Sequence, residues 1–166
     1  VPKKRRVLFV DGEMPAADMQ KRVRDLCGDH VPELLELLSS EFFYASEQRP
    51  LTLNDLMHQQ RLRLLLANLA EQGRAPEVII FDNLSSMSYG VDENSNSEQD
   101  AVLAFLRELR HLGYTVILVH HSGKGGDQRG ASRHEDFLDL SIKLAAPEEN
   151  FDPSEGARFV LTFTKT

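Results

Sequence analysis

The 166-residue chain is poor in several things, and each shortage excludes a class of protein. It has one cysteine, Cys27, so no internal disulfide can form and a reducing compartment is expected. It has no excess of positive charge: 19 Lys and Arg against 26 Asp and Glu give a net charge of −7. The surface as a whole therefore does not attract nucleic acid, and any such contact must come from a local loop. No apolar run approaches the roughly 20 residues of a membrane span. The basic start is not followed by the apolar stretch of a secretory signal. These features point to a cytoplasmic protein without a membrane partner. Repeats and low-complexity tracts are lacking too. With 41% hydrophobic and 27% charged residues, 10 Gly and 7 Pro, the composition is that of a folded globular chain.

The length suits a single domain, residues 1–166, since one core takes on the order of 100–200 residues. Four apolar runs stand out: Val7–Val10, Val78–Phe81, Thr115–Val119 and Phe159–Phe163. Apolarity without alternation is expected of strands buried on both faces. Phe42–Tyr44 and Ser141–Leu144 are weaker strand candidates. Between the runs lie helical stripes: Met19, Val23, Leu26 and Cys27; Leu62, Leu65, Leu66 and Leu69; and Val102, Phe105, Leu106, Leu109 and Leu112, ended by Gly113. Apolar strands alternating with amphipathic helices predict an α/β fold with a mostly parallel sheet flanked by helices. Residues 89–97, 123–130 and 147–156 read as loops.

Chemistry gathers where the runs end: Asp11 and Glu13, Asp82 and Asn83, His120 and His121, and Lys165. In open parallel sheets ligands bind beyond the carboxyl ends of the strands, so a site is expected at that edge. Val78–Asp82 has the form of a Walker B strand, whose acid holds a nucleotide-bound Mg²⁺. An acid in this position also suits an Asx-turn or a helix cap. Glu13 follows a glycine that allows a sharp turn, and its carboxylate suits a proton acceptor from attacking water; a first-turn acid before Pro15 is the plainer alternative. Of His120 and His121 only one can face a given side of a strand, where it would hydrogen-bond a phosphate oxygen. A metal centre would need further ligands, and no Cys/His cluster supplies them.

Ser122–Arg133 is Gly-rich and carries Lys124, Arg129 and Arg133, a local concentration of positive charge suited to a phosphate backbone. It is not a Walker A loop: no window of the chain satisfies G-x-x-x-x-G-K-[ST]. Pro2–Val7 has the look of a basic import signal, although a short basic cluster before a strand is more often a solvated lead-in.

The order and spacing of Val7–Pro15, Val78–Ser86 and Val119–Lys124, followed by Gln128–Asp136, resemble the RecA-like ATPases of the RepA type, hexameric plasmid replicative helicases and related AAA-family proteins. The resemblance covers nearly the whole chain. It implies a three-layer RecA-like core without its N-terminal Walker A strand, ATP and Mg²⁺ as cofactors, and Glu13 as catalytic base. It further implies Asp82 as the metal-holding Walker B acid and His121, or His120, as the γ-phosphate sensor. Asp82, Asn83 and Lys165 would bind the cofactor. Lys124, Arg129 and Arg133 would touch single-stranded nucleic acid in a homo-oligomeric ring. The family's Lys-x-Arg pair is represented only by Lys165, and the phosphate loop would precede Val1. The 166 residues are therefore expected to be most of a larger domain, inactive alone. Two other readings remain open on the residues themselves: a non-catalytic binding or assembly module, and a metal-dependent phosphoesterase using Asp11, Asp82 and His120 or His121.

Overall fold

The computed structural model describes residues 3–28, 33–42, 50–88, 96–121 and 138–147, and, towards the C-terminus, 152, 154, 156 and 158–165. Packing divides the chain into two compact units, residues 1–126 and 127–166.

The first unit is built on a four-stranded parallel sheet of order β2-β1-β3-β4, flanked by three helices. The strands are β1 (Val7–Asp11), β2 (Leu35–Ser39), β3 (Val78–Asp82) and β4 (Thr115–Leu118). The helices are α1 (Ala16–Cys27), α2 (Leu56–Glu71) and α3 (Asn96–His111). This is the mostly parallel α/β architecture expected of a RecA-like core. The chain steps from β1 outward to β2, then crosses back to place β3 on the other side of β1. The strand order thus reverses between β1 and β3, and a crevice opens at the carboxyl ends of strands at such a reversal.

One face of the sheet carries the core. Leu8, Val10, Ile79 and Phe81 pack with Leu62 and Leu66 of α2 and with Val102, Phe105 and Leu109 of α3. Asp55 caps α2, its carboxylate accepting from the backbone N–H of Met57 and His58. Gly113, at φ 93°, ends the α3 turn in the left-handed region. The α2 stripe is as expected, and so is the α3 stripe within the helix. Leu112, just beyond it, is 64% exposed. On α1 only Met19 is buried, while Leu26 is 79% exposed, so the predicted apolar face is mostly unused.

The strands themselves correct the expectation of burial on both faces. β1 and β3 alternate between buried and half-buried residues, and β4 between exposed and half-buried ones. The helices α2 and α3 share the core face, and β4 is the last strand of the sheet, leaving Ile117 46% exposed. β2 was not foreseen. Its Leu-Glu-Leu-Leu pattern has helical spacing, but parallel pairing with β1 overrides that preference. Of the weaker candidate Phe42–Tyr44, Phe42 is outside any strand, and Phe43 and Tyr44 lie outside the described residues.

The basic start is a lead-in to β1. Arg5 pairs with Glu77, and the Arg6 carbonyl accepts from the N–H of Glu77 and Val78.

In the second unit β5 (Ser141–Ala145) and β6 (Val160–Lys165) form an antiparallel pair. The run Phe159–Phe163 is therefore not a strand of the parallel sheet buried on both faces: Phe163 is 57% exposed. Among the described residues no helix is long and apolar enough to cross a membrane.

Candidate functional site

Parallel pairing of β1 with β3 sets Asp11 directly opposite Asp82 at the carboxyl ends of both strands, at the order reversal. The two acids do different things. Asp11 is buried, and its Oδ1 accepts from the backbone N–H of Glu13 at 2.8 Å and of Met14 at 2.6 Å. It shapes the turn after β1, the Asx-turn use of a strand-end acid. β2 holds the same turn from the other side. Ser39 Oγ donates to the Met14 carbonyl at 2.8 Å, Ser40 Oγ to the Gly12 carbonyl at 3.1 Å, and Ser40 N–H to the Asp11 carbonyl at 2.9 Å.

Gly12 extends the ladder, donating its N–H to the Asp82 carbonyl at 2.7 Å. The reason for glycine is close approach rather than a sharp turn. A Cβ at this position would stand 2.1 Å from Ser86 Oγ.

The turn delivers Glu13 to the rim, exposed, with Oε1 accepting from Asn83 Nδ2 at 2.7 Å. Asn83 is 1% exposed and follows a cis Asp82–Asn83 peptide bond. Its Oδ1 accepts from Ser86 N–H at 3.0 Å and its carbonyl from Ser86 Oγ at 2.9 Å. Both ends of the Asn83 amide are thus committed to protein partners.

Asp11, Glu13, Met14, Arg22, Asp82 and His121 line one cavity of about 400 Å³. Of the two histidines, His121 lines it and His120 does not, as the two-residue period of an extended chain requires. Burial raises the Asp82 pKa. The negative charges of Asp11 and Glu13 push in the same direction, against the opposing pull of His121 and Arg22. A half-buried carboxylate beside two others is short of positive charge, which is the donor chemistry a hydrated Mg²⁺ would relieve. Among the described residues no group of three or more His, Cys, Asp or Glu is arranged to hold a metal ion. The phosphoesterase reading, which needs such a ligand set, gains no support from them.

Lys165 belongs to the second unit, at the end of β6, while within the first unit the ends of β1, β3 and β4 lead to the residues that line the cavity. Lys124, Arg129 and Arg133 lie outside the described residues.

Residues 1–127 match the model of a family described as an AAA domain. The chain belongs to the AAA domain family. The matched stretch contains every residue that lines the cavity, and membership of the family supports an ATPase-like nucleotide function for the domain. No curated protein matches the chain.

Three features of this AAA domain escaped sequence reasoning. Ser39 and Ser40 end an unforeseen strand. Arg22 enters the cavity only through the placement of α1. Asn83 was visible as a strand-end polar residue, but its partner, 70 positions away, was not.

Proposed function

We propose that this AAA domain carries the hydrolytic side of an ATP site, and that turnover drives movement along, or remodelling of, single-stranded nucleic acid in a homo-oligomeric ring. The observation that carries the reading is the Asn83–Glu13 hydrogen bond beside the in-register Asp11–Asp82 pair, at the point where strand order reverses. Glu13 accepts the proton of the attacking water, with the Asn83 amide fixing one carboxylate oxygen and leaving the other for the proton. Asp82 would hold Mg²⁺, which when bound would supply charge neutralisation at the phosphates. His121 meets a terminal phosphate oxygen. Asn83 acts as a positioning residue, its amide held by Ser86 on one side and holding Glu13 on the other. Lys124, Arg129 and Arg133 supply the local positive charge that an acidic chain needs to hold a nucleic-acid backbone.

No G-x-x-x-x-G-K-[ST] run occurs in the chain, so turnover is proposed for the protein that brings such a loop to Glu13 and Asp82, not for these 166 residues by themselves. The test is steady-state ATP hydrolysis by the whole protein, with and without single-stranded DNA. Glu13→Gln should lower kcat by about 10²–10⁴, the range of general-base catalysis, and leave ATP binding in place. A wild-type rate from Glu13→Gln would remove Glu13 from the mechanism. ATP hydrolysis by the isolated chain would show that no outside loop is required.

A further inference from the structure

Ser39 and Ser40 are adjacent hydroxyls, 1% and 6% exposed, to which neither the motif pattern nor the family match gives a role. A buried hydroxyl must find partners, and both find them in the turn that carries Glu13. Ser39 lies opposite Asp11 in the β1–β2 register, and Ser40 follows the strand end. Because β1 stands between β2 and β3, the two serines reach the turn from the side opposite to Asp82.

The peptide units on either side of Gly12 decide where Glu13 stands, and each is held at both ends. In the Asp11–Gly12 unit the carbonyl accepts from Ser40 N–H at 2.9 Å, and the N–H donates to the Asp82 carbonyl at 2.7 Å. In the Gly12–Glu13 unit the carbonyl accepts from Ser40 Oγ at 3.1 Å, and the N–H donates to Asp11 Oδ1 at 2.8 Å. Ser40 thus holds one end of both units, the first with its backbone and the second with its side chain. Gly12, required by its close approach to Ser86, brings a freedom of φ and ψ that other residues lack. These hydrogen bonds remove that freedom. Ser39 secures the chain beyond Glu13: its Oγ donates to the Met14 carbonyl and accepts from Glu41 N–H at 3.2 Å. The Glu41 carboxylate in turn accepts from Ala16 N–H at 2.9 Å, where α1 begins.

Resting on the reading of Glu13 as proton acceptor, we propose that the Ser40 hydroxyl is a positioning residue for Glu13. It acts on the backbone of the base, where Asn83 acts on its carboxylate. Two fixed points, one at each end of the Glu13 side chain, define the place of the carboxylate at the rim. Without the hydroxyl the Gly12 carbonyl loses that donor, and the Gly12–Glu13 unit can turn about the Gly12 torsions. Displacement of a reacting group by about 1 Å can cost as much as about 10² in rate. The loss falls on the chemical step, because Ser40 is not among the residues that line the cavity.

The test joins amide hydrogen exchange with single-turnover ATP hydrolysis by the whole protein, for wild type, Ser40→Ala, Glu13→Gln and the double variant. Ser40→Ala should speed exchange at Gly12 and Glu13 by about two- to tenfold, the range for losing one neutral hydrogen bond, and leave Leu8 and Val10 as in wild type. The hydrolysis rate should fall by a similar factor, with the calorimetric affinity for Mg²⁺-ATPγS within about twofold of wild type. In the Glu13→Gln background the same substitution should change the rate by less than about twofold, because the group it places is gone. An equal loss in both backgrounds would mean a general structural effect and overturn the assignment. Unchanged exchange at Gly12 and Glu13 would overturn it as well. Faster exchange with a wild-type hydrolysis rate would leave Ser40 shaping the turn and remove it from catalysis, while the nucleotide reading stands. If the wild-type protein does not hydrolyse ATP, the nucleotide reading fails and this inference fails with it.

Discussion

Asn83 Nδ2 donates to Glu13 Oε1 at 2.7 Å, joining the turn after β1 to the turn after β3. The donor is buried and held by Ser86, whereas the acceptor is exposed at the cavity rim. A buried donor held by Ser86 and aimed at an exposed acid determines where that acid points. Replacing Asn83 by Asp keeps the shape, removes the donor and sets a carboxyl against Glu13. Hydrogen bonds to charged groups contribute about 1.5–3 kcal/mol, so a kcat lower by about ten- to hundredfold is expected for Asn83→Asp. The second carboxyl beside the base should also move the acidic limb of the pH–rate profile. A purely structural role for Asn83 would lower the melting temperature and leave that limb in place.

The contact between Gly12 and Ser86 carries a second prediction. A Cβ on residue 12 would stand 2.1 Å from Ser86 Oγ and 3.0 Å from Met87 Cγ. Gly12→Ala must push the Ser86 turn away, and Ser86 is what holds Asn83. Overpacking of this kind costs about 1–3 kcal/mol. Denaturant titration should show that loss, together with reduced hydrolysis. The pair Gly12→Ala/Ser86→Gly should recover stability relative to Gly12→Ala alone, because it removes the clashing hydroxyl. No recovery would mean that the clash lies with Met87 or the backbone.

The parts legible in the sequence share a property: their signal is local. Val7–Asp11 and Val78–Asp82 announce themselves because each is a continuous apolar run, of strand length, ending in an acid. The α2 and α3 stripes follow from helical period alone. Non-local features were hidden. Leu35–Ser39 has helical spacing and becomes a strand only because β1 offers it a parallel partner. Arg22 reads as one more surface charge until α1 is placed beside the strand ends. Gly12 suggested a turn, yet it is needed because Ser86, far along the chain, comes within touching distance. Phe159–Phe163 had the composition of a core strand and lies instead in a two-stranded antiparallel sheet, since apolarity does not specify a pairing partner.

Asp82 gives a pH prediction of definite sign. Its folded-state pKa is raised, chiefly by burial, so the folded chain holds the proton more tightly than the unfolded one does. The stability this contributes is present at low pH and is lost as pH rises from the ordinary carboxylate range through the raised value. At neutral pH the ionised group is a net burden on the unliganded protein. Asp82→Asn should therefore melt higher than wild type at pH 7, and the difference should shrink on acidification. Mg²⁺ should raise the wild-type stability, by about 1.4 kcal/mol at ten times its Kd, and leave Asp82→Asn unchanged. Thermal melts with and without Mg²⁺ read both effects. An equal Mg²⁺ response from the two proteins would place the cation elsewhere.

The basic loop can be tested through salt. On a chain of net charge −7, binding to single-stranded DNA must come from a few phosphate contacts rather than from the general field. Each contact releases counterions, and for single strands the slope of log K against log salt is about −0.7 per phosphate neutralised. Replacing Lys124, Arg129 and Arg133 together by Gln should weaken binding and make the slope shallower by about 2, if each meets one phosphate. Replacing Arg24, Arg107 and Arg110 by Gln changes the net charge by the same amount on α1 and α3, and should leave the slope as in wild type. Fluorescence anisotropy with a labelled oligonucleotide at several salt concentrations separates the two outcomes. A loss of affinity with equal slopes in both triple variants would assign the effect to net charge and remove the loop from the nucleic-acid interface.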